Sequence, residues 1–282
     1  MRFDAIGTGW QIDTAEPIAP GLSTRIQARI EEFDRTYSRF REDSLVATIA
    51  RSVGTFVFPD DAAALFDTYR RLYTATDGRM SPLVGRSMDD LGYDRAYSLR
   101  PTGMVRSAPH WDEAFSWDGR GLTTLRPVSI DVGAAGKGYL VDIVLGLLAE
   151  AGHTEVIVDA SGDIRHSGAD PIRVALEHPK NPDKAIGIAN IGNGSICASA
   201  SNRRAWGDGL HHVVDATTGL PTRRVIATWA ITTLALEADG IATALFFTDP
   251  ERIDTEFSFD WVRMLSDGRV ECSTGFDGEI FT

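Results

Sequence analysis

Asp131-Val-Gly-Ala-Ala-Gly-Lys-Gly-Tyr139 is the stretch on which the reading of this chain turns. Just before it, Val128, Ile130 and Val132 alternate with other residue types, which predicts a strand running into a glycine-rich turn. After it, Leu140, Ile143, Val144, Leu147 and Leu148 recur at helical spacing. Asp131, the backbone of Gly133 to Gly136 and the Lys137 side chain are thereby placed where a strand hands over to a helix. Free N–H groups at such a junction favour anions, phosphates above all. Many glycine-rich turns of this kind bind nothing, so the motif is weak by itself.

It is not a P-loop, because the spacing is Gly-x-x-Gly-Lys and Gly138 stands where Ser or Thr would hold Mg²⁺. Upstream, residues 3 to 13 read as a strand broken by Gly7-Thr-Gly9. Leu22, Ile26, Ile30, Phe33, Tyr37 and Phe40 mark an amphipathic helix over 22 to 40. A short helix follows Asp43-Ser44, Thr55 to Phe58 is a strand, and a helix runs from Asp60 or Asp61 to about Thr76. Residues 79 to 127 read as loops and short strands. Downstream, Glu155 to Ala160, Ile172 to Leu176, Ala185 to Ile191 and Val225 to Leu236 read as strands. Residues 211 to 221 read as a strand and tight turn, Glu237 to Phe247 as a helix, and the last 24 residues as a closing hairpin. Strands and helices mix without βαβ alternation, which predicts an α+β fold. The 282 residues suffice for one large domain, 1–282, or two interlocked lobes.

The net charge of −12 argues against a non-specific nucleic-acid or anionic-membrane binder. Cys197 and Cys272 have no metal-spaced partners, so a disulfide scaffold and structural zinc are not expected. No apolar run is long enough to span a bilayer. The chain opens on a strand-like segment without a leader pattern or lipid-attachment cysteine, which predicts a cytoplasmic location.

Three further groups carry chemistry. Asp163, in Asp159-Ala-Ser-Gly-Asp-Ile-Arg165, suits a ribose hydroxyl, an adenine amino group or a metal; it equally suits an Asx-turn. Asp239 and Thr243 share a helix face among small residues, a pairing that suits a hard cation; alternatively each serves its own helix. His212 suits a general base, but adjacent His211 leaves that choice open on chemistry alone.

The order of the pieces is more specific than any one. Ile6-Gly-Thr8, Ser38-Arg-Phe-Arg-Glu-Asp-Ser44, the 131–139 turn with Asp142, Ser161-Gly-Asp163, His212-Val-Val-Asp215 with Thr218-Gly-Leu-Pro221, and Ala238-Asp-Gly-Ile-Ala-Thr243 resemble the ApbE family of FAD:protein FMN transferases over residues 3 to about 250. The resemblance implies a mixed-sheet fold with helices packed on the sheets and a ligand cleft between two lobes. It implies FAD as substrate, Mg²⁺ as cofactor, and an acceptor flavoprotein modified on a Thr or Ser hydroxyl, with AMP released. By resemblance, Asp131 and Lys137 contact FAD, Asp163 stands in a matching motif as a further cofactor-binding candidate, and Ile6 and Phe40 lie on the flavin. Arg79, Met80 and Ser81 line the same site, with Thr228 a weaker member. The Ala134 carbonyl joins Asp239 and Thr243 around the metal, and His212 takes the catalytic position. The chain departs from the family pattern at Phe40, where a tyrosine is usual, at Ser81, where an aspartate is usual, and at Ala198-Ser-Ala-Ser201. An FAD pyrophosphatase or a non-catalytic FAD carrier would use the same binding residues.

Overall fold

The computed structural model describes residues 1–281. An eight-stranded antiparallel sheet forms its centre, in the order Arg2–Ala5, Thr8–Thr14, Val156–Asp159, Asp163–Ser167, Gly194–Ala200, Val225–Thr232, Asp260–Leu265 and Val270–Cys272. Successive residues of a strand face opposite sides, so this sheet feeds two cores. Cys197 and Ala230 point into the large one beneath the helices. Ile196 and Trp229 point into a second core, shared with Leu176, Ile186 and Ala189 of a three-stranded sheet. A second three-stranded sheet joins Gly54–Val57, Gly121–Thr124 and Phe115–Trp117.

On the first face the Gly136–Glu150 helix packs against the Ala235–Ala244 helix, which lies on the Gly194–Ala200 and Val225–Thr232 strands. Small residues make that approach possible: Ala238, Gly240, Ala242 and Ala244 are all buried. Gly138 completes it, because any Cβ there would overlap the Ala235 carbonyl and press on Asp239. The Asp142 carboxylate accepts from the N–H groups of Ala235 and Leu236 at 3.0 and 2.8 Å, satisfying donors that a helix start leaves free. The two central motifs of the sequence are thus bolted together.

Several expected elements take another form. Residues 128 to 132 belong to no strand; Val128, Ile130 and Val132 are buried, but only isolated backbone bonds hold them, such as Asp131 N–H to the Pro82 carbonyl at 2.7 Å. Burial alone produced the alternation there. The first segment is a hairpin whose two-residue turn, Ile6-Gly7, has φ of +46° and +77°, the geometry of a type I′ turn. The helix expected over 22 to 40 spans Pro20–Tyr37, which leaves Phe40 in the turn beyond it. The long strand stops at Thr232, and its helix begins at Ala235. Residues 211 to 221 contribute only short pieces, Leu210–His211, Val214–Asp215 and Leu220–Pro221. Strands Asp163–Ser167 and Gly194–Ala200 were not anticipated. In the closing segment Asp260–Leu265 and Val270–Cys272 do form a hairpin, but Gly278–Ile280 crosses to the other sheet; Thr282 lies outside the described residues. Among the described residues no helix is long and apolar enough to cross a membrane.

Candidate active site

A cavity of about 710 Å³ opens where these motifs converge, a size typical of small-molecule sites. Its walls include Ile6, Phe40, Met80, Ser81, Asp131, Ala134, Lys137, His212, Asp239 and Thr243. Three expected members are elsewhere. Arg79 is exposed and donates to the Phe247 carbonyl at 2.7 Å. Thr228 is fully buried and donates to the Ala242 carbonyl at 2.6 Å. Asp163 is 0% exposed and pairs with Lys137 behind the wall.

The polar end is organised by the glycine turn, although not as an amide cradle. The Gly133 N–H donates to Asp131 at 2.7 Å, those of Ala135 and Gly136 to the Val132 carbonyl at 3.2 and 2.8 Å, and that of Gly138 to Asp239 at 2.9 Å. Those donors are already engaged, because closing the turn into the first helical turn uses them. Lys137 is likewise engaged with Asp163. Burial opposes its charge, but the carboxylates of Asp163 and Asp239 outweigh burial and raise its pKa. Asp239 is pushed the other way. Burial and the nearby Asp163 raise its pKa, against Lys137 and the Gly138 N–H. Thr243 sits one turn on, its hydroxyl 3.2 Å from that of Ser199.

Asp131 also lines the cavity. Burial would raise its pKa, yet the Arg39 guanidinium and the Gly133 N–H hold it below the usual carboxylate range. Arg39 also reaches Asp89 at 3.0 Å and the Tyr93 carbonyl at 2.7 Å, and lies 4.3 Å over the Phe40 ring. Phe40 stacks on Tyr97, with ring centroids 4.9 Å apart and planes 10° from parallel. Tyr97 is 53% exposed and has φ of +49°, in the left-handed region that bulky residues avoid. Ile6, also left-handed, faces the same space.

The adjacent histidines separate cleanly. His211 Nε2 donates to the Thr222 carbonyl at 2.8 Å, and its Nδ1 accepts from the Val213 N–H at 3.3 Å, so both ring nitrogens are used. His212 lies just past that short strand and faces the cavity; among the described residues its buried Nδ1 has no partner. Burial, with the Arg204 charge and His211 beside it, lowers its pKa to about 3. Its imidazole is therefore neutral near pH 7, the form that accepts a proton.

The sequence profile of the ApbE family matches residues 6–258. The chain belongs to the ApbE family. Among relatives, the FAD:protein FMN transferase of Klebsiella pneumoniae is 26% identical over 271 residues, covering 88% of this chain and 77% of that one. The protein of the same name from Vibrio cholerae is 27% identical over 248 residues, covering 82% and 74%. Among solved structures, the flavin transferase ApbE from Vibrio cholerae superposes with a TM-score of 0.81 at 22% identity, covering 97% of this chain and 96% of that one. The ApbE protein of Thermotoga maritima gives 0.79 at 21% identity, with the same coverage of both chains. These structures establish that the α+β architecture is the ApbE fold. Arg39, Tyr93, Tyr97, Ser199 and Arg204 also line the cavity, and none had been assigned a role from the sequence. Arg39 stood inside a quoted motif. Tyr93 and Tyr97 lie in the aperiodic 79–127 segment, where no local pattern marks them.

Proposed function

We propose that this protein is an FAD:protein FMN transferase, moving FMN from FAD to a Thr or Ser hydroxyl of an acceptor protein and releasing AMP. Five relatives from different bacteria carry that name. The observation that carries the reading is one cavity that joins the His212 ring, whose buried Nδ1 has no partner among the described residues, to the Asp239–Thr243 oxygen pair and to a stacked aromatic wall.

His212 takes the proton of the acceptor hydroxyl, a role worth about 10²–10⁴-fold in rate. The acceptor oxygen bonds to the FMN phosphorus, and the bond from that phosphorus to the bridging oxygen breaks, leaving on AMP. Ile6 and the Phe40–Tyr97 pair offer the flavin an apolar bed. Asp131, fixed by Arg39, is a ready acceptor for a ligand hydroxyl or amide. The donor set suits Mg²⁺: the Asp239 carboxylate and Thr243 hydroxyl are hard oxygen ligands on one helix face, with the Ala134 carbonyl as the third. When bound there, the ion supplies Lewis-acid stabilisation of phosphate charge.

The test is mass spectrometry of a candidate acceptor domain incubated with the protein, FAD and Mg²⁺. A mass gain equal to the FMN moiety supports transfer. FMN and AMP appearing in solution without acceptor labelling would make the protein a pyrophosphatase. FAD bound but unchanged would make it a carrier.

A further inference from the structure

The charges on the cavity wall are almost all spoken for. Arg39 is held by Asp131 and Asp89, and Arg41 by Glu31, Asp34 and Asp43. Lys137 is held by Asp163, and Arg203 by Glu177 at 3.0 Å. Among the described residues, Arg204 alone of the basic side chains lining the cavity has no carboxylate within ion-pair distance and no side-chain hydrogen bond. Among the described residues, Asp239 is the one lining carboxylate without a cation partner of its own.

We propose that Arg204 is the direct protein contact to the pyrophosphate of the bound dinucleotide, and holds the phosphate that leaves with AMP. This deepens the transferase reading and rests on it. A pyrophosphate bears a negative charge on each phosphate, and besides any bound cation the protein can meet it directly only with uncommitted positive charge. Lys137 and the turn N–H groups of Gly133, Ala135, Gly136 and Gly138, the obvious candidates in the sequence, are engaged elsewhere. A guanidinium matches phosphate oxygens two at a time and stays charged at any working pH. Position agrees with chemistry. The Arg204 carbonyl accepts the His212 N–H at 3.2 Å, which ties its backbone to the base. Its charge is felt at His212, Asp131 and Tyr93, all on the cavity wall. When the acceptor oxygen bonds to the FMN phosphorus, the electron pair of the broken bond goes to the AMP phosphate, where Arg204 opposes its build-up.

The experiment is equilibrium titration of wild type, Arg204→Gln and Arg204→Lys with FAD, ADP and riboflavin, alongside their melting temperatures. Arg204 is exposed, so Arg204→Gln should melt as wild type does. The expected result is at least about a tenfold rise in Kd for FAD and ADP, with riboflavin unchanged within about twofold. Arg204→Lys should recover part of the loss, and the loss should shrink as salt rises. Equal losses for all three ligands, or no change in any, overturn the assignment. Wild type that binds FAD and ADP but labels no acceptor would sink the transferase reading, while these titrations still decide Arg204. Wild type with no affinity for either ligand overturns both.

Discussion

At the Asp239 end of the cavity the polar groups are buried and held by backbone and helix packing; at the Phe40 end a half-buried ring and the exposed Tyr97 stack in turns. The first end lies between two packed helices. Gly138 can have no side chain there, and Asp142 pins one helix start to the other. The second end hangs on Ile6 and Tyr97, two bulky residues in left-handed backbone. Backbone of that kind persists only where the surroundings impose it. The difference suits the chemistry: charge development needs preorganised groups, whereas a planar ring is held by apolar and aromatic area.

The sharpest way to break the comparison is at Asp239. Asp239→Asn keeps an acceptor for the Gly138 N–H but removes the charge, and should abolish turnover with Mg²⁺ while FAD still binds. Turnover near wild type at saturating FAD would remove the metal assignment. Next is Lys137→Ala, which leaves Asp163 fully buried without its cation. The expected loss is about 3–5 kcal/mol of stability in urea unfolding, partly recovered by adding Asp163→Asn. A specific loss of FAD affinity with stability intact would return Lys137 to the phosphate.

His212→Asn should lower acceptor labelling by at least about 10²-fold, with FAD binding retained; His211→Asn, whose ring bonds only to backbone, should act through stability instead. The histidine also has a pH signature. Its pKa falls from 6.5 unfolded to about 3 folded. The unfolded chain therefore takes up the proton first. The His212 contribution to stability is complete above pH 6.5 and is lost as pH falls from there toward 3. The matching acid limb in kcat/KM lies near 3, and a limb at 6.5 that disappears in His212→Asn would place the ring in water. The smallest effect belongs to the aromatic end. Tyr97→Ala should weaken FAD and riboflavin alike by several-fold, since an aromatic pair is worth about 0.5–1.5 kcal/mol, and leave ADP untouched. A loss confined to ADP would invert the assignment of the two ends.

Much of the helical framework was legible. The spacing of Leu22, Ile26, Ile30 and Phe33 and the Asp77-Gly78 stop are local signals, and the corresponding helices are Pro20–Tyr37 and Ala62–Ala75. The 128–132 segment misled because alternation records burial, and a buried extended segment need not join a ladder. The sequence by itself marked part of the cavity, since the glycine turn, Asp239 with Thr243, and His212 stand in contiguous motifs, while Arg79, Thr228 and Asp163 proved to lie elsewhere. Only the tertiary structure decided which of their charges remain free. Lys137 meets Asp163 across 26 residues, Arg39 meets Asp131 across 92, and Gly138 meets Asp239 across 101. An ion pair is a property of positions in space, and no local spacing reveals that a lysine in a phosphate-like turn is already neutralised while an arginine without a motif is not.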